Sequence, residues 1–151
     1  MKSNKKMLAA AFVVFAMTSA QAADNHTITV NAVVGGTCKF ITGSSSINMN
    51  VDPTLSTNLA GTGNIQYRCT KGTVPIFIYT SGSTGAPDGG ELRKNGEMIP
   101  YTFSAIPGGN GQGMAPGLER TLAVTVTVNQ ANAANVTPET YTDTIVIALT
   151  P

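Results

Sequence analysis

The sequence predicts an all-β sandwich with Greek-key connections, and three observations lead there. Apolar residues recur at every second position in several separate runs, the side-chain period of a strand with one buried face. Clusters of Gly, Pro, Asn and Asp punctuate those runs. Charge is sparse, at 11% Asp, Glu, Lys and Arg, and Thr, Asn, Gly and Ser fill the polar positions, a composition that suits exposed strand faces.

The chain opens with an export signal. Lys2, Lys5 and Lys6 form a basic start, Met7 to Met17 is an apolar core, and Ala20-Gln21-Ala22 is an A-x-A cleavage site. The apolar core falls short of the roughly 20 residues that span a bilayer. That length and the cleavage site favour a signal peptide over residues 1–22 against an uncleaved anchor. The mature part then begins at Ala23 and is one domain of about 129 residues. Losing three leader lysines leaves acids in excess of bases, and no basic patch remains to neutralise phosphates. Nucleic acid is therefore excluded as a partner.

Strands are expected in order. Thr27 to Val34 alternates, with Ile28, Val30, Ala32 and Val34 on one face and Gly35-Gly36 as the stop. Ser46 to Val51 aligns Ile47, Met49 and Val51, and Asp52-Pro53 closes it. Gly63 to Cys69 aligns Ile65, Tyr67 and Cys69. Val74 to Thr80 is more continuously apolar, with Pro75 near its start where proline is tolerated. Ser81 to Gly96 reads as turns, because Asp88-Gly89 and Asn95-Gly96 are strong turn dipeptides. Glu97 to Ile106 returns as a strand interrupted by Pro100, and Pro107 to Gly117 is a flexible glycine-rich loop. Thr121 to Val128 is the cleanest alternation, with Leu122, Val124, Val126 and Val128 on the core face. Asn129 to Glu139 is a polar connection with no amphipathic helix. Thr140 to Thr150 is the last strand, with Tyr141, Ile145, Ile147 and Leu149 facing the core.

Cys38 and Cys69 are the only cysteines, and an even pair in an exported chain reads as one disulfide. Loop closure between them is expected to stabilise the domain by roughly 3–4 kcal/mol. A zinc site wants about four closely spaced ligands. Two cysteines and one distant histidine do not provide it, and no metal or small-molecule cofactor is expected. Catalysis is not expected either. His26 is the single histidine and has no identifiable dyad partner. Asp88, Glu91 and Glu97 lie in a turn region, where solvated charges are the simpler reading. Tyr79 and Tyr101 suit strand packing better than a sugar surface. The run Gly108 to Gly113 precedes a strand and not a helix, so it is no dinucleotide loop.

Several segments together resemble the spore coat protein U domain family, subunits of archaic chaperone–usher pili. They are the alternating strand before Thr37-Cys38, the step Val51-Asp52-Pro53, Ile65 to Gly72 (IQYRCTKG), Ile99 to Phe103 (IPYTF) and Thr121 to Val128. The ending Pro138 to Ile147, with its Tyr-x-Asp at Tyr141 and Asp143, is the most specific. The Ser81 to Gly96 stretch fits poorly. The resemblance implies an Ig-like sandwich lacking its last strand. That open fold is covered first by a periplasmic chaperone, then at the outer-membrane usher by the N-terminal strand of the next pilus subunit. The chain is accordingly expected to divide into a donor segment, 23–36, and a sandwich domain, 37–151, which ends directly after its last strand. Ile28, Val30, Ala32 and Val34 become the donor row, and Tyr141, Ile145, Ile147 and Leu149 border the groove that receives it. Four such side chains contribute on the order of 4–8 kcal/mol of burial. The expected route is export to the periplasm and then the surface of a Gram-negative-type cell. The competing reading is a self-contained secreted sandwich that binds carbohydrate or surface matrix, in which residues 26–34 are an ordinary first strand.

Overall fold

The computed structural model describes residues 25–41 and 45–151. The leader 1–22 lies outside the described residues. Contacts divide the chain into two units, 1–33 and 34–151. In the first, residues 25–33 carry no paired strand and are exposed. The alternation at Thr27 to Val34 therefore meets no partner among the described residues, and an isolated extended segment has nothing to hold a ladder.

The second unit is an all-β sandwich, with seven strands among the described residues. They are β1 (Cys38–Phe40), β2 (Asn58–Cys69), β3 (Ile76–Ser81), β4 (Gly89–Lys94), β5 (Glu97–Pro107), β6 (Arg120–Asn129) and β7 (Ile145–Thr150). One sheet has the order β1-β2-β6-β5-β4, and the other pairs β3 with β7. All neighbours are antiparallel. Strand β6 returns beside β2 after the β4–β5 hairpin, which is the Greek-key return expected from the sequence.

Registers explain several departures from the sequence pattern. Pro100 does not interrupt β5. It faces Glu91 of β4, and the ladder to β6 starts only at Tyr101, so the missing N–H falls where no β6 partner is waiting. Asn95-Gly96 forms the expected tight turn, with φ of 50° and 88°. Asp88-Gly89 does not turn the chain; Gly89 and Gly90 begin β4, which hides in a stretch that reads as loop. The loop 108–117 is pinned rather than flexible. Gly111 exchanges backbone hydrogen bonds with Gly72 and Thr73, Gly113 donates to the Cys69 carbonyl, and the Tyr67 hydroxyl donates to Gly109 O at 2.7 Å. Asn129 caps a one-turn 3-10 helix at Gln130–Ala133.

Cys38 and Cys69 are direct cross-strand neighbours and form the disulfide. The buried core is Tyr67, Cys69, Ile99, Tyr101, Phe103, Leu122, Val124, Val126, Val128 and Ala133. All of its strand residues come from the five-stranded sheet. Phe77 and Tyr79 of β3 and Ile145, Ile147 and Leu149 of β7 pack against that core while only half-buried. Among the described residues one layer thus has five strands and the facing layer two.

Candidate functional site

Beside the two-stranded layer lies a groove of about 1040 Å³. Its floor is the inner face of the large sheet, from Ile65 across Val124, Val126 and Phe103 to Ile99 and Leu92. These residues sit on alternate positions of their strands, so one face of each strand supplies the apolar floor.

Segment 45–51 makes the first wall. Ile47, Met49 and Val51 are half-buried while Ser46, Asn48 and Asn50 are exposed, the alternation of a strand. The segment nevertheless enters no backbone ladder among the described residues. It lies over β2 where two glycines leave room. A Cβ on Gly61 would stand 2.4 Å from Ile47 Cγ2 and 2.8 Å from Met49 Cγ, and one on Gly63 would stand 3.3 Å from Ile47 Cγ1. The segment's end is fixed by the buried Gln130. Its Oε1 accepts from Asp52 N at 3.0 Å, and its Nε2 donates to Thr57 Oγ1 at 3.2 Å.

The second wall is the chain from Val136 into β7. The expected strand from Thr140 starts only at Ile145, because residues before it are held elsewhere. Thr142 bridges to Arg93 on the free edge of β4. Tyr141 donates its hydroxyl to Glu97, which also accepts from Thr137 Oγ1 at 2.6 Å. Hydrogen bonds from Thr137 and then Tyr141 hold the Glu97 pKa below the usual carboxylate value. Asp143 Oδ2 accepts three hydroxyls, from Tyr101 at 2.6 Å, Ser83 at 2.7 Å and Ser81 at 2.8 Å, while Oδ1 accepts Thr144 N at 2.8 Å. Burial pushes the Asp143 carboxyl up, but the hydrogen bonds from Tyr101, Ser83 and Ser81 outweigh it and hold the pKa down. Burial, then its bond to Asp143, pushes Tyr101 up to about 12. Gly90 makes space for this cluster, since a Cβ there would stand 2.3 Å from Ser81 Oγ and 2.7 Å from the Tyr101 hydroxyl. The Tyr-x-Asp ending therefore clamps the chain at the point where it crosses from the large sheet's edge into the small sheet.

Beyond that clamp, β7 pairs with β3 along one edge only. Its other edge, toward the groove, is unpaired among the described residues. Among the described residues, both long walls thus carry backbone outside any ladder beside an apolar floor.

Of the residues singled out from sequence, Tyr141, Ile145 and Ile147 line the groove. Leu149 packs half-buried against the core and is not part of the lining. Ile28, Val30 and Val34 are at least 77% exposed, and Ala32 is exposed too. Tyr101 is buried with its hydroxyl on Asp143, and Tyr79 stacks on Phe77 with rings 9° from parallel, so neither offers an open sugar platform. His26 is exposed. Among the described residues no group of three or more His, Cys, Asp or Glu is placed to hold a metal ion, and no helix is long and apolar enough to cross a membrane. The glycine slots, the Gln130 tie and the Asp143 clamp were not visible beforehand. The expected strand began only at Gly63, whereas β2 begins at Asn58 and so takes in Gly61 as well; glycine inside a strand often marks close approach of another backbone.

The family model of the Spore Coat Protein U domain matches residues 24–148. Comparison with curated proteins and with solved structures returned no match.

Proposed function

The chain belongs to the Spore Coat Protein U domain family, a family of pilus- and fimbria-type subunits, and from that premise we propose that it polymerises by strand donation. The groove receives an extended segment 28–34 from a second subunit, in the sheet order 45–51, donor, β7, β3. The observation that carries this reading is the pair of backbone edges, unpaired among the described residues, that flank one apolar floor. A strand between them would hydrogen-bond on both sides and cover Ile145 and Ile147. Ile28, Val30, Ala32 and Val34 fit the slot in length. At about 3.3 Å per residue the row spans about 20 Å, a little more than six-residue β7.

The geometry at Gly36 favours one direction for the donor. Gly36 lies against Thr73 and Pro151, so segment 28–34 leaves its own domain at the end of β7. If it entered its neighbour at that same end, both junctions of every subunit would crowd one pole. Entry at the Asp143 end puts the junctions at opposite poles, antiparallel to β7, and the polymer continues in line.

The free edge and open floor also account for a need for cover before assembly, since such an edge invites aggregation. A periplasmic chaperone supplies that cover and an outer-membrane usher the site of exchange, with the signal peptide 1–22 as the route in and a surface fibre as the product. The role is structural and involves no catalysis.

Val30→Asp tests it. An unpaired carboxylate in the apolar slot costs several kcal/mol. Export should be unchanged and chaperone capture should persist through the variant's own intact groove, while fibre growth stops. Normal fibres from this variant would refute strand donation by residues 28–34.

A further inference from the structure

The two sheets differ on their outer faces. The large sheet shows water Thr62, Asn64, Gln66, Thr102 and Ser104. The small sheet shows Ile76 and Ile78 on β3 and Val146 on β7, at 55%, 56% and 58% exposed, continued by Val74 at 62%. Ala148 stands opposite Ile78 and adds to the same strip. A contiguous apolar strip on an outer sheet face marks an interaction surface more often than scattered exposed residues do.

The position of the strip names its occupant. Gly36 packs against Thr73 and Pro151, and a Cβ on it would stand 3.4 Å from Thr73 Oγ1 and 3.5 Å from Pro151 Cβ. Val74 follows Thr73 directly, and Ile76 is paired with Thr150 at this same pole. Only Gly35 and Gly36 separate Val34 from Thr37, which precedes the disulfide-anchored β1. Two residues reach about 7 Å at full extension. Once segment 28–34 is seated in a neighbour, that neighbour's domain is held against this pole and cannot swing clear of it. The neighbour enters by its Asp143 end, where the turn after β3 is rigid. Gly85 N donates to Ser81 O at 2.8 Å, Ser81 N donates to Ala86 O at 3.0 Å, and Thr84 Oγ1 donates to Gly89 O at 3.3 Å. That turn offers Ala86 and Pro87 as a small apolar counter-surface, and Gly82 and Gly85 put no side chain in the way of a close approach.

We propose that Val74 and Ile76, at the pole from which the donor segment leaves, form a second contact with the turn 82–87 of the next copy of this chain. This inference rests on strand donation. It adds a contact that sets the angle between successive domains, whereas the donated strand sets only their connection. A tether of two glycines alone would leave that angle free.

The test is the paired variant Val74→Lys with Ile76→Lys, accompanied by Val74→Thr with Ile76→Thr. Both sites point outward, and Thr80 and Thr150 already hold equivalent outward positions on β3 and β7, so the threonine pair preserves the strand. Fibres are scored by their detergent-resistant subunit ladder and by persistence length in electron micrographs. The expected result is an unchanged ladder with loss of stiffness in the threonine pair and greater loss in the lysine pair. Wild-type stiffness in both, with a ladder still abolished by Val30→Asp, overturns the second contact and leaves strand donation standing. A ladder that survives Val30→Asp overturns both.

Discussion

Asp143→Ala should open the groove's second wall, and the structure sets the size of the effect. One carboxylate oxygen accepts the hydroxyls of Tyr101, Ser81 and Ser83, and the other accepts Thr144 N. Hydrogen bonds to a charged acceptor contribute about 1.5–3 kcal/mol each. They will not sum here, because Ser81 and Ser83 already lie 2.9 Å apart and can bond each other when the carboxylate is gone. Tyr101 recovers less, since Ser81 is the other side chain in reach of its hydroxyl and is itself drawn to Ser83, and the residue is 6% exposed. The net loss for alanine should be about 2–4 kcal/mol, most of it from the charged acceptor lost to Tyr101 and Thr144 N. Asp143→Asn keeps one acceptor and should lose less. In a double-mutant cycle with Tyr101→Phe, urea unfolding should show coupling above about 1 kcal/mol. The pH dependence has a definite sign. A carboxyl whose folded pKa is depressed adds stability above its unfolded pKa, near 4, and loses it as pH falls through the folded value. Wild type should therefore weaken more steeply below about pH 4 than Asp143→Asn, with the other carboxyls held low, Glu97, Asp52 by its bonds from Thr54 and Glu119 by its bond from Arg68, common to both. If alanine and asparagine both unfold within about 0.5 kcal/mol of wild type, the clamp does not hold the wall.

Two further perturbations follow from the first wall and from β1. Gly61→Ala drives a methyl into Ile47 and Met49, whereas Gly63→Ala needs a shift of only a few tenths of an ångström, so titration with a peptide of residues 25–36 should show weaker binding for the first and near-normal binding for the second. Replacing Cys38 and Cys69 with alanine opens a loop with a sequence separation of 31, and urea unfolding should show about 3–4 kcal/mol lost relative to the oxidised protein.

Much of the sandwich was legible because alternation reports burial directly. Leu122, Val124, Val126 and Val128 read as a core face and are one. The disulfide was legible from count and compartment. Strand β4 was not, since Gly89 and Gly90 carry no side-chain signal. Gly90 is glycine because Ser81, Tyr101 and Asp143 meet over it, a long-range demand invisible to a local window. The delayed start of β7 has the same origin, because Thr142 pairs with Arg93 and Asp143 with Ser81, partners at least 49 residues away that only the fold brings near. Segments 27–34 and 45–51 show the converse. Their sequences alternate like strands, yet no ladder joins either one among the described residues, since period records which faces are apolar and not whether a partner is present.

Amide hydrogen exchange along β7 tests the central claim most directly. The mature protein carrying Val30→Asp, unable to feed its own segment to another copy, is mixed with a peptide of residues 25–36. Amides of 145–150 that do not face β3, and amides of 45–51, should exchange rapidly alone and become strongly protected together when the peptide binds. Binding without protection on either wall, or protection of those amides before any peptide is added, would contradict an open two-edged slot.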